Sequence, residues 1–225
     1  MIGFICTKAH RHLLFVLFFL SACSKTAIVE LPEEEFKGTN VFIGDSHVAG
    51  WEVREYYAGK SLGVYGVGGE RIRHIQTRLE KFVIGSADNC FIIAGTNDFV
   101  ESTRDLQLSL EEMLDRMLAA YSRLLDSASV RFEKVYMISL FPIGQAVNPD
   151  YSCQRCIEAY QAINIVNDSL QTRIARDYQN VFFINVTPIL ADSKGYFINE
   201  NTSDGIHLSS RGYDILSSKV NPYVR

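Results

Sequence analysis

Five short runs of the chain are apolar at nearly every position: Asn40–Gly44, Leu62–Val67, Cys90–Ala94, Lys134–Leu140 and Val181–Val186. A strand that faces water on one side alternates apolar and polar residues; a strand covered on both faces does not. The runs therefore predict parallel strands inside a sheet. Between them the apolar spacing changes to three and four. Leu106, Leu110, Met113, Leu114, Met117, Leu118, Tyr121, Leu124 and Leu125 make one stripe along a helix. Further helices are predicted over about Val48–Tyr57, Arg71–Phe82, Ile157–Tyr178 and Ser210–Val220. Strands alternating with helices predict a doubly wound, three-layer α/β/α sandwich. The segments 141–155 and 187–206 read as irregular loops, each following a predicted strand.

The first residues have a different pattern. Lys8 and Arg11 form a basic segment, Leu13–Leu20 is a short apolar run, and Ser21-Ala22 precede Cys23. The run is short for a membrane span and fits a cleaved leader. The position of Cys23 resembles a bacterial lipobox, which implies cleavage before Cys23, a lipid on that cysteine, and residues 23–38 as a tether. Ser24 after the cysteine then implies the outer membrane, facing the periplasm. The expected organisation is a leader over 1–22, the tether, and one domain over 39–225. The formal charge is −4, and loss of Lys8 and Arg11 with the leader makes the remainder more acidic. No basic stripe is present, so nucleic acid is not an expected partner.

Cysteine usage adds little catalytic chemistry. Cys90 lies inside an apolar run and is expected as a small core residue. Cys153 and Cys156 form CQRC. In an exported protein a local disulfide is the leading reading. A zinc site would need two more ligands, and no second CxxC occurs. No metal and no cofactor are expected.

The chemistry-bearing residues fall in four stretches: Gly44-Asp45-Ser46, Gly66-Val67-Gly68-Gly69-Glu70, Gly95-Thr96-Asn97-Asp98 and Asp204-Gly205-Ile206-His207. Each lies beyond the carboxyl end of a predicted strand, where doubly wound sheets bind ligands. Ser46 sits at a strand-to-helix turn, with its own N–H at a helix N-terminus. A serine helix cap is the plainer reading of that residue alone. His207 can take a proton near neutral pH, and Asp204 can orient it. His47 and His74 compete as bases. His47 adjoins Ser46 and should point away from the hydroxyl; His74 should lie on the exposed face of its helix. Gly69, with Gly68 as the near alternative, can present an unobstructed N–H. Asn97 offers amide donors. A tight turn and a helix cap are the plainer roles of these last residues.

Taken in this order, the four stretches resemble the SGNH/GDSL hydrolase family. The resemblance runs from about Val41 to Tyr213 and implies a flavodoxin-like, mainly parallel five-stranded sheet. It implies Ser46 as nucleophile, His207 as base, Asp204 as its orienter, and an oxyanion hole from Ser46, Gly69 and Asn97. Val64 stands where family members often have asparagine, which bears on hydrogen bonding around that loop. The implied activity is ester hydrolysis through an acyl-enzyme, with small acyl or O-acetyl groups on carbohydrate or lipid as first choice. Lysophospholipase, thioesterase or acetyltransferase activity would use the same residues. A binding-only role toward glycan is the non-enzymatic alternative. Trp51, Tyr56, Tyr57, Tyr151 and Phe197 are candidates for lining the site, with core packing the preferred role of Trp51, Tyr56 and Tyr57.

Overall fold

The computed structural model describes residues 39–81, 87–104, 108–144 and 162–225. Cys23, Tyr151, Cys153 and Cys156 lie outside them, as do Leu106 and residues 157–161 of the expected fourth helix. Strand β1 (Asn40–Gly44) is buried at every position. Two short helices follow, α1 (Ser46–Ala49) and α2 (Val53–Tyr56), where one continuous helix was expected over 48–57. The break falls at Gly50-Trp51-Glu52. There the Trp51 indole packs edge-on to Phe42 at 5.3 Å and donates to Ser217 Oγ at 2.8 Å. Tyr57 stacks on the same Phe42, and its hydroxyl donates to Ser217 O. Burial of these two rings outweighs helix continuity, because large aromatic surfaces dominate local packing energy.

The remaining strands and helices alternate. They are β2 (Leu62–Gly66), α3 (Ile72–Lys81), β3 (Asn89–Ile93), α4 (Thr96–Arg104), α5 (Leu110–Ser129), β4 (Lys134–Ile138), α6 (Ile163–Asp177), β5 (Val181–Ile184), α7 (Thr187–Leu190) and α8 (Ser210–Val220). All strand pairs are parallel, in the order β2-β1-β3-β4-β5. This is the flavodoxin-like order, and it places a topological switch point between β1 and β3. Helix α4 was not expected. Only Phe99 and Val100 in its sequence are large and apolar, too few to show a period. Helix α5 begins at a capping box. Ser109 Oγ accepts from the Glu112 N–H, and Glu112 Oε2 accepts from the Ser109 N–H.

Alternate residues of each strand feed two cores. Val41, Ile43, Cys90, Ile92, Val135 and Met137 face α3, α5 and α6. Cys90 is fully buried among them, and burial pushes its thiol well above its ordinary pKa. On α3, Ile72, Ile75 and Leu79 have no exposed surface; burying each contributes about 2 kcal/mol. Phe42, Phe91, Tyr136 and Ile138 face α7, α8, Trp51 and Tyr57. Phe42, Phe91, Tyr136 and Phe182 are register partners across β1, β3, β4 and β5. Their rings stack with centroid separations of 4.6, 4.8 and 5.5 Å. Phe197 also belongs to this core, at 3% exposure, so it does not line an open site.

Candidate active site

The turn after β1 is built by Asp45. Its carboxylate accepts the N–H of His47 at 2.9 Å and so caps α1, leaving Ser46 at the first helical position. The loop after β5 is built by Asp204 in the same way: its Oδ1 accepts the N–H groups of Ile206 and His207 at 2.9 and 2.7 Å. Thr202 closes that loop, donating to His207 O and accepting from the Gly205 N–H. The loop is also fixed from below, where the Gly144 N–H donates to Gly205 O at 2.7 Å.

These two turns bring three side chains into a line. His207 Nε2 lies 3.1 Å from Ser46 Oγ, and His207 Nδ1 lies 2.7 Å from Asp204 Oδ2. Burial alone would raise the Asp204 carboxyl. The hydrogen bonds from the His207 ring and from two backbone N–H groups outweigh it and hold Asp204 below the usual carboxylate range. Asp204 is therefore an anion that can fix the tautomer and orientation of His207. About half of each side chain is exposed, 43% for His207 and 52% for Asp204, so water reaches the pair.

The opposite wall comes from the loops after β2 and β3. Gly69 has φ +77°, a conformation that side chains disfavour, and no atom lies within 4 Å of where its Cβ would stand. Asn97 begins the second wall. Its amide donates one N–H to Glu70 O at 2.8 Å, next to Gly69; an amide has a second N–H. Asp98 accepts the Ile72 N–H at 2.9 Å and starts α3. Beneath the glycine loop Arg78 of α3 acts as a clamp. Its guanidinium donates to Glu70 Oε2 at 2.6 Å, to Tyr65 O at 3.1 Å and to Gly44 O at 3.2 Å. One side chain thus joins the serine turn, the end of β2 and the glycine loop. Sequence reading missed Arg78, because its role depends on which face of α3 meets the sheet. Val64, the departure from the family pattern, is half-buried on β2 and packs in the core.

His47 is not a base for Ser46. Its side chain is fully buried on the far side of the turn, with Nδ1 3.0 Å from Asp45 Oδ1 and Nε2 3.0 Å from Ile206 O. Burial alone would lower its pKa. The Asp45 carboxylate and the hydrogen bonds to Asp45 and Ile206 outweigh that and raise it. His74 is exposed on α3, as expected, where its Nδ1 accepts the Arg71 N–H. Among the described residues no group of three or more His, Cys, Asp or Glu is placed to hold a metal ion.

A family model for GDSL-like lipases and acylhydrolases matches residues 42–215. The chain belongs to the GDSL-like lipase/acylhydrolase family. All four stretches lie inside the matched segment. A GDSL-like lipase from Bacteroides thetaiotaomicron shares the fold, with TM-score 0.66 and 21% identity over 82% of this chain and 86% of that one. A catalytic mutant of an acetylxylan esterase from Geobacillus stearothermophilus also shares it, with TM-score 0.59 and 17% identity over 85% and 96%. An N-acylneuraminate cytidylyltransferase from Escherichia coli is 25% identical over 186 residues. That match takes in 81% of this chain but only 39% of the relative. This GDSL-family chain therefore spans about two fifths of the curated relative's length.

Proposed function

We propose that the protein is a serine esterase that removes small acyl groups, acetyl first, from carbohydrate. The observation that carries this reading is the hydrogen-bonded line Ser46–His207–Asp204. Ser46 Oγ attacks the ester carbonyl carbon and its proton passes to His207 Nε2. The carbonyl oxygen becomes an oxyanion, held by the N–H groups of Ser46 and Gly69 and by the second N–H of Asn97. Collapse breaks the bond to the alcohol, which leaves with the proton from His207. Water then gives a proton to His207 and attacks the acyl-enzyme; collapse releases the acid, and His207 returns the proton to Ser46 Oγ. Asp204 stays ionised throughout and stabilises the imidazolium.

The carbohydrate part of the reading draws on the acetylxylan esterase that shares the fold and on the cytidylyltransferase relative, whose name carries an acylated sugar. Hydrolysis is favoured over transfer by the water access of His207 and Asp204. Asn97→Ala should lower kcat on acetylated xylan or p-nitrophenyl acetate by about 10²–10³-fold, with KM changed far less. A loss confined to KM would assign Asn97 to ground-state binding instead.

We also propose that the chain is carried to the cell envelope and held there by lipid on Cys23, on the pattern of Lys8, Arg11, Leu13–Leu20 and Ser21-Ala22-Cys23. Expressed in a bacterium fed radiolabelled palmitate, the wild type should take up label and Cys23→Ser should not. Equal labelling of both would remove the anchor.

A further inference from the structure

The two nitrogens of His47 both face oxygen acceptors in a site closed to water: the Asp45 carboxylate at 3.0 Å and the Ile206 carbonyl at 3.0 Å. A neutral imidazole carries one N–H, so one of these contacts would set lone pair against lone pair. An imidazolium satisfies both. The two acceptors come from opposite halves of the catalytic line. Asp45 precedes Ser46, whereas Ile206 precedes His207 and lies 159 residues away in the chain. The His47 and His207 rings are 5.6 Å apart, tilted by 36°.

We propose that His47 is a buried, charged positioning residue: its imidazolium, hydrogen-bonded at both nitrogens, ties the loop of His207 to the turn of Ser46. The inference rests on the esterase reading given above. The tether sets the 3.1 Å approach of His207 Nε2 to Ser46 Oγ, a distance on which proton transfer depends steeply.

Among the described residues the ionisable neighbours are few. Asp45 faces His47 from its own turn, and Asp204 and His207 face it from the loop after β5. Tyr213 of α8 donates its hydroxyl to His47 O, and Asp98 of α4 bears on Asp45. Phe141 also meets the ring, edge-on at 4.8 Å. Of these the Asp45 carboxylate meets the ring directly, 3.0 Å from Nδ1.

Two substitutions test the tether. Gln can place an amide N–H where His47 Nε2 stands and so keep the bond to Ile206 O without a charge. Ala keeps neither. On p-nitrophenyl acetate, His47→Ala should lose about 10²-fold in kcat with little change in KM. His47→Gln should regain most of that rate. No recovery of rate in His47→Gln overturns the tether. Nitrogen NMR of wild-type protein with labelled histidine reads the ring directly and needs no variant to fold. Two protonated nitrogens on His47 at neutral pH are expected. A neutral ring, with one unprotonated nitrogen, overturns the proposal. If instead wild type hydrolyses no ester, the esterase reading fails, and the ring spectrum still decides whether the buried clamp is charged.

Discussion

Ser46→Ala should abolish hydrolysis of p-nitrophenyl acetate and of acetylated xylan, a fall in kcat of about 10⁴-fold or more. The size of the effect follows from the geometry. Ser46 Oγ is the atom His207 Nε2 reaches at 3.1 Å, and alanine leaves the base with no hydroxyl to deprotonate. His207→Ala should fall by a similar factor, and the double variant should be little worse than either, because the residues act as a unit. The fold should be unaffected. Ser46 makes no capping bond for α1; that bond comes from Asp45. Initial rates for the three variants and equal melting temperatures would establish the roles. A Ser46→Ala enzyme with more than a few per cent of wild-type rate would mean that another nucleophile does the work.

The largest expected loss of stability lies at a glycine. Gly66→Ala should cost about 3 kcal/mol or more, lowering Tm by about 6–12 °C for a domain of this size. A Cβ on Gly66 would stand 2.6 Å from Ala49 Cα and 2.5 Å from Val48 C. Those are backbone atoms of α1, which is held from its other side by the Asp45 cap and by the buried Val48. Relief can come only by displacing the helix that begins with Ser46, so activity should fall with stability. Gly68→Ala, two residues on, is the control. Nothing lies within 4 Å of its Cβ, and its Tm should stay within about 2 °C. Thermal melts followed by circular dichroism decide the matter. Equal melting of the two variants would mean that α1 yields without cost.

The strands were legible because the central ones, β1, β3 and β4, are covered on both faces and apolar nearly throughout; the helical stripe on α5 was legible because a long helix repeats its pattern several times. Strand ends were less so. Leu140 and Val186 extend apolar runs past β4 and β5, yet they are buried in the loops beyond rather than in the sheet. The α1–α2 break follows from how Trp51 meets Ser217, a partner 166 residues away, and no local window contains that. The same holds for the supports beneath the candidate site. Ser46, Asp204, His207, Gly69 and Asn97 stand in short stretches of recognisable type. Arg78 and His47 are single residues whose meaning lies in carbonyls of other loops: Gly44 O and Tyr65 O for one, Ile206 O for the other.

Trp51 is the only tryptophan in the chain. Its indole sits five residues beyond Ser46, held edge-on to Phe42 and hydrogen-bonded to α8. The ultraviolet emission of the protein therefore has one source at one address. A blue-shifted spectrum reports a closed joint between the serine turn and the last helix, and a red shift reports water entering that joint before the sheet itself gives way.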